Sequence, residues 1–98
     1  MKQYYTYIVQ CADGSYYTGV TNNLEKRIAE HNEGKDVRSY TFSRRPIELV
    51  WSNMTFDIKQ AIEKEKQIKG WSRAKKEALI KEDWKKIVEL SNKKSEKK

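Results

Sequence analysis

The sequence predicts a single α+β domain on three observations. Alternating side chains rich in tyrosine and β-branched residues recur at 3–11, 16–20 and 47–51. Other segments carry apolar residues at helical spacing, and those segments begin at capping residues or end at glycine. Ninety-eight residues suffice for one modest core and not for two. At 37% hydrophobic and 11% aromatic, the chain has enough apolar surface to fold although 36% of it is charged.

In the first segment Tyr5, Tyr7, Val9 and Cys11 fall on one side and Tyr4, Thr6, Ile8 and Gln10 on the other, as in a strand. Asp13-Gly14 marks a turn and Tyr16 to Val20 a return strand, so the chain opens with a hairpin. Two registers are open. A two-residue turn pairs Gln10 with Tyr17 and sets Tyr7 and Tyr17 on opposite faces. A three-residue loop, Ala12-Asp13-Gly14 with Gly14 left-handed, pairs Val9 with Tyr17 and Tyr7 with Gly19. Both tyrosines then share a face, and Gly19 leaves space beside the Tyr7 ring.

Asn22 followed by Glu25 reads as a helix N-cap with a capping box, and Gly34 closes that helix. Residues 35–46 read as a basic loop, with Lys35, Arg38, Arg44 and Arg45 around Tyr40 and Phe42, ending at Pro46. Ile47 to Trp51 is a third strand, and Asp57 to Gly70 a second helix. Ser72 caps a third helix through Lys81, and Asp83 a short fourth from Trp84 to Leu90. Residues 1–90 are expected to form the domain and 91–98 a lysine-rich, disordered tail. Trp51, Trp71 and Trp84 are expected in the core, and Cys11 is a small strand hydrophobe.

A net charge of +7 favours a polyanionic partner such as nucleic acid. One cysteine excludes an internal disulfide, and one cysteine with one histidine argues against structural zinc. No stretch approaches membrane-spanning length, and no aromatic-leucine amphipathic face accompanies the lysines, so a cytoplasmic protein without a membrane partner is expected.

Two helices break the rule that ionisable groups stay out of apolar faces. In the second, Ile58, Ala61, Ile62 and Ile68 form a stripe with Glu65 inside it, while Glu63 points away. In the first, Leu24 and Ile28 define the buried face, which Arg27 and His31 share. Each group alone has a plain structural reading: Arg27 snorkelling at the core edge, His31 a satisfied core histidine, Glu65 a partner for Arg27. Three ionisable groups on two inward faces point to a site.

These residues resemble the GIY-YIG nuclease superfamily. Tyr5-Thr6-Tyr7 and, nine residues on, Tyr17-Thr18-Gly19 are similar to its paired motif. Leu24-x-x-Arg27-x-x-x-His31-x-x-Gly34 is similar to its catalytic helix, and Ala61-Ile62-x-x-Glu65 to its metal-binding segment. The match runs from about Tyr4 to Trp84 and is closest to the small stand-alone bacterial branch. Tyr-Thr-Tyr stands where the superfamily name has Gly-Ile-Tyr. Many members carry an asparagine after the metal-binding helix; here only Asn92, in the tail, follows it.

The resemblance implies a three-stranded antiparallel sheet flanked by helices, a ββαβα core with C-terminal helices added. It implies an endonuclease that hydrolyses a DNA phosphodiester with one divalent ion, Mg²⁺ or Mn²⁺, and selects structure more than sequence. By that likeness Glu65 holds the metal, Arg27 stabilises charge on the phosphoryl oxygens, and a tyrosine, Tyr7 in the first place, activates water. Tyr17 and His31 orient that water or share its proton. Lys35, Arg38, Arg44 and Arg45 are the expected phosphate contacts, with Tyr40 or Phe42 stacking on an unpaired base; a solubilising loop with both aromatics packed inward is equally open, and Lys69 either contacts phosphate or pairs with Glu65. The substrates expected are branched, damaged or single-stranded DNA, with RNA also open, and a partner protein is expected to supply targeting. The competing reading is a nucleic-acid-binding module of the same fold without turnover.

Overall fold

Three strands and four helices follow from these patterns. In the computed structural model, which describes residues 1–96 with side chains through Ser91, β1 spans Tyr4–Gln10, β2 Tyr16–Thr21 and β3 Glu48–Thr55. They form an antiparallel sheet in the order β2-β1-β3. Helices α1 (Leu24–Glu33), α2 (Ile58–Lys69), α3 (Arg73–Ile80) and α4 (Trp84–Glu96) complete the α+β domain that the sequence predicts.

The hairpin takes the three-residue loop. Gly14 is left-handed at φ 85°, and the Cys11 N–H donates to Ser15 O at 2.8 Å. Asp13 Oδ1 accepts from the Ser15 N–H at 3.0 Å and its O–H at 2.6 Å, which stiffens the turn. Val9 therefore faces Tyr17 and Tyr7 faces Gly19.

β3 runs past Trp51, where its apolar alternation ends, to Thr55. Ser52, Asn53 and Met54 pair with Tyr7, Thr6 and Tyr5, and these long-range ladder partners override weak local propensity. The register shifts between Ile8 and Val9, leaving Val50 as the bulged residue.

The cap of α1 is Asn23, not Asn22. Asn23 Oδ1 accepts from the Lys26 N–H at 3.1 Å. Lys26 cannot return the bond that a capping-box glutamate would make. Thr21 Oγ1 does so instead, accepting from the Asn23 N–H at 3.1 Å. Asp57, Ser72 and Asp83 accept from the N–H groups of Lys59, Lys75 and Lys86, as the sequence leads one to expect. α4 continues past the expected end at Leu90 to Glu96; the remainder of the expected tail, 97–98, lies outside the described residues.

Both sheet faces are covered. On one, Tyr7, Val9, Cys11 and Ile47 pack with Tyr17, Leu24 and Ile28 under α1. On the other, Ile8 packs with Ile68 of α2 and Leu79 of α3, ringed by Trp51 and Trp71 among others. A buried hydrogen bond from Thr6 Oγ1 to Ala61 O, 2.9 Å, fastens α2 to β1. Trp84 is 57% exposed and so lies outside the core, contrary to expectation. Among the described residues no helix is long and apolar enough to cross a membrane.

Candidate active site

Gly19 determines where the first tyrosine lies. The Tyr7 ring crosses over it, so that a Cβ at position 19 would sit 2.5 Å from Tyr7 Oη and 2.7 Å from Cζ. Any side chain there would displace the phenol. Tyr7 is 1% exposed, and its oxygen meets His31 Nε2 at 2.9 Å and the guanidinium of Arg27.

Arg27 and His31 are one turn apart on α1, and Leu24 and Ile28 hold that face on the sheet. Asn32 fastens the C-terminal end of the helix: its Oδ1 accepts from the Ile47 N–H at 2.8 Å and its Nδ2 donates to Ile47 O at 3.1 Å. Gly34 ends the helix in the left-handed region at φ 70°, with the Arg45 guanidinium packed where a Cβ would stand.

Tyr17 projects beside Tyr7, ring centroids 6.4 Å apart, and meets His31 edge-on at 5.5 Å. Tyr40 stacks on Tyr17 at 6.0 Å with the rings 20° apart, and the Arg44 guanidinium lies 3.9 Å from the Tyr40 centroid. The loop carrying these residues is pinned to the hairpin turn. Ala12 N–H donates to Arg44 O at 2.8 Å, and Arg44 Nε pairs with Asp13 Oδ2 at 3.2 Å. With Tyr17 and Arg44 against its ring, Tyr40 forms a wall of the site while remaining 41% exposed.

Glu65 reaches the same place from α2. Only part of the expected stripe is buried: Ala61 and Ile68 are inside, whereas Ile58 and Ile62 are exposed. The inward line is therefore 61, 65 and 68, and Glu65 lies on it with its side chain 20% exposed. Lys69 Nζ pairs with Glu65 at 3.2 Å and stands 5.7 Å from the Tyr17 centroid. Both side chains thus extend around the β2 edge to the tyrosine face, and the Glu65 charge is felt at Tyr7.

The electrostatics follow from burial. Burial raises the Tyr7 pKa; Arg27 opposes this, while Tyr17 and Glu65 add to it. Burial also lowers the His31 pKa, with Arg27 acting the same way and Glu30 against it, so the ring is neutral at neutral pH. Arg27 loses solvent, yet its contacts with Tyr7 and Glu30 prevail and its pKa rises. Its ion pair with Glu30 measures 3.5 Å.

The expected phosphate contacts divide into two groups. Lys35, 3.8 Å from Glu33, and Arg38 are exposed, and Arg38 has no ion pair among the described residues. Arg44 is held by Asp13 and Tyr40, Arg45 by Phe42 O at 2.7 Å and by the Phe42 ring, and Lys69 by Glu65. The side chain of Asn92 lies outside the described residues.

Sequence reasoning missed Thr41, Ser39 and Glu30. Thr41 Oγ1 is 2.7 Å from His31 Nδ1 and 3.0 Å from Ser39 Oγ. A threonine inside an aperiodic loop carries no local signal of this. Glu30 lies three residues from Arg27, and ion-pair spacing alone would have found it.

Among the described residues no three His, Cys, Asp or Glu side chains cluster as a closed metal cage. A single carboxylate suits Mg²⁺, which keeps several waters and takes further oxygens from a phosphate. The Glu65–Lys69 pair is an i,i+4 pair with a half-exposed lysine, worth about 0.3–0.5 kcal/mol, so it holds the carboxylate only weakly. The donor set fits one hard cation held by Glu65.

Comparison with known proteins agrees with this geometry. The family model described as the GIY-YIG catalytic domain matches residues 3–78. A UPF0213 protein of Syntrophus aciditrophicus is 47% identical over 83 residues, covering 85% of this chain and 95% of that protein. Another, of Staphylococcus saprophyticus, is 49% identical over 83 residues, covering 84% and 99%. Two solution NMR structures share the fold. The UPF0213 protein of Bacillus halodurans has a TM-score of 0.53 at 39% identity, covering 81% of this chain and 83% of that one. A protein of E. faecalis has a TM-score of 0.58 at 32% identity, covering 83% and 85%. With its paired tyrosines, helix-borne arginine and histidine, and single glutamate gathered at the β2 edge, this chain belongs to the GIY-YIG catalytic-domain family.

Proposed function

We propose that the chain is a divalent-metal-dependent DNA endonuclease, selective for structure more than for sequence. The observation that carries this reading is the convergence of two phenols, a guanidinium, a neutral imidazole and one carboxylate from four elements. Glu65 would hold one Mg²⁺ or Mn²⁺, which when bound supplies Lewis-acid stabilisation of the phosphoryl and leaving oxygens. Tyr7 takes a proton from the attacking water as it passes its own to His31, and Arg27 favours the phenolate and the charge developing on phosphate. Tyr17, against His31 and Tyr40, orients the water. Lys35 and Arg38, with Lys69 once it is released from Glu65, contact flanking phosphates, and Arg44 and Arg45 add positive potential. In this reading a partner protein supplies targeting.

A second reading, a binding module that does not cut, has the Glu65–Lys69 pair in its favour, because the free carboxylate is already neutralised. The deciding experiment is a panel of branched, nicked, single-stranded and duplex DNAs, with matching RNAs, incubated with Mg²⁺ or Mn²⁺ and with a chelator control. The endonuclease reading expects metal-dependent nicking, strongest on branched or single-stranded DNA. Binding without cleavage on every substrate and with both metals would establish the module instead.

A further inference from the structure

We propose that Thr41 is a positioning residue: its buried hydroxyl accepts from His31 Nδ1–H and so supports the tautomer that leaves Nε2 free to receive the Tyr7 proton. The inference rests on the nuclease reading for its purpose, but not for its geometry. Thr41 is 1% exposed. Its Oγ1 lies 2.7 Å from His31 Nδ1 and 3.0 Å from Ser39 Oγ, while Tyr7 Oη lies 2.9 Å from Nε2.

Placing the hydrogens selects between two arrangements. A neutral imidazole has one donor and one acceptor nitrogen. With the ring proton on Nδ1, that N–H donates to Thr41 Oγ1, Thr41 O–H donates to Ser39 Oγ, and Tyr7 O–H donates to Nε2. The hydrogens of the ring, of Thr41 and of Tyr7 then each have an acceptor. With the proton on Nε2, the ring donates to Tyr7 Oη and Thr41 donates to Nδ1, and the phenol hydrogen needs another acceptor. Tyr7 is buried, His31 is its one hydrogen-bond acceptor among the described residues, and Arg27, facing the same oxygen, only donates. A buried donor without an acceptor is strongly disfavoured. In the substrate-free protein the Nδ1–H tautomer is therefore the ground state.

In the reaction the Tyr7 Oη–H bond breaks and an Nε2–H bond forms, as a water O–H bond breaks and its proton joins the phenolate. The ring is then an imidazolium whose Nδ1–H still donates to Thr41. The hydroxide oxygen bonds to phosphorus as the P–O bond to the leaving oxygen breaks; that oxygen takes a proton from solvent, and the imidazolium returns one to solvent before the next cycle. Ser39, at the outer end of this chain of bonds, borders a polar pocket of about 160 Å³ together with Arg27, Glu30, Lys35 and Asp36. The basic loop therefore supplies both phosphate contacts and the hydroxyl that orients the imidazole.

His31 is the only histidine, so ¹⁵N NMR of the imidazole in the whole protein reads the tautomer without ambiguity and without any need for activity. The expected result is a protonated Nδ1 and an unprotonated Nε2 in wild type and in Thr41→Ser, and a mixed or reversed pattern in Thr41→Val. Thr41→Val should also slow nicking at least ~10-fold, and Thr41→Ser should restore it to within about twofold. A wild-type ring protonated at Nε2 overturns the inference, as does a Thr41→Val protein that keeps the wild-type tautomer. Should Thr41→Val fail to fold, Thr41→Ala, which also lacks the hydroxyl, is read in its place, and a wild-type tautomer there overturns the inference. A wild type that never nicks defeats the nuclease reading and leaves the tautomer result standing.

Discussion

At the scale of single residues, the site depends on one missing side chain and one uncharged ring. Gly19 admits the Tyr7 ring where a Cβ would come within 2.5 Å of its hydroxyl. Gly19→Ala should lose cleavage and cost about 1–3 kcal/mol by overpacking, read from activity and denaturant unfolding together. His31 gives a pH signature. Its folded pKa lies below the 6.5 of an unfolded histidine because burial and Arg27 disfavour the charge. As pH falls through 6.5 the unfolded chain binds the proton first, so the contribution of His31 to stability is complete above that pH and is lost below it. Tm measured from pH 7.5 to 5 should fall more steeply for wild type than for His31→Gln. Equal slopes would mean that the ring is not buried neutral.

Elements bring these residues together, and here sequence legibility varied with the kind of signal. Tyr7, Tyr17, Arg27, His31 and Glu65 lie on regular elements, where a period of two or 3.6 assigns a face from spacing alone. Ile58 and Ile62 show the limit. Both match the helical period, yet α2 turns Ala61 and Ile68 inward, because the apolar arc is wider than the strip of sheet it covers. Trp84 is exposed for a related reason: apolar character permits burial without compelling it. The hairpin register stayed open because two turn types suited Asp13-Gly14, and the Cys11–Ser15 bond with left-handed Gly14 decided it. Thr41, and the partner of Tyr40, were illegible because loop residues have no period that assigns a face. At this scale Asn32 is the residue to test, since its amide joins α1 to the entry of β3. Asn32→Ala should destabilise the fold by about 1–3 kcal/mol by orphaning both Ile47 backbone groups, and should slow cleavage indirectly. An unchanged unfolding midpoint would contradict that role.

Across the whole molecule, a charge of +7 on a small domain makes nucleic-acid binding electrostatic and only weakly informed by sequence. Log Kd should rise linearly with log salt, and Arg38→Ala should reduce the slope by about 1 without changing preference among sequences. A salt-independent Kd would remove the basic loop from the interface. The sheet places the site at the open edge of β2, flanked by the loop on one side and by α2 on the other.

The central claim is that Glu65 works with the tyrosine–arginine–histidine cluster as one cleaving unit. Its most direct test is single-turnover cleavage of a branched DNA in Mn²⁺ by wild type and Glu65→Gln, with Kd measured on the same samples. The account predicts cleavage by wild type, a loss of at least ~100-fold in the variant, and a Kd unchanged within about twofold. Cleavage by Glu65→Gln at the wild-type rate would contradict it.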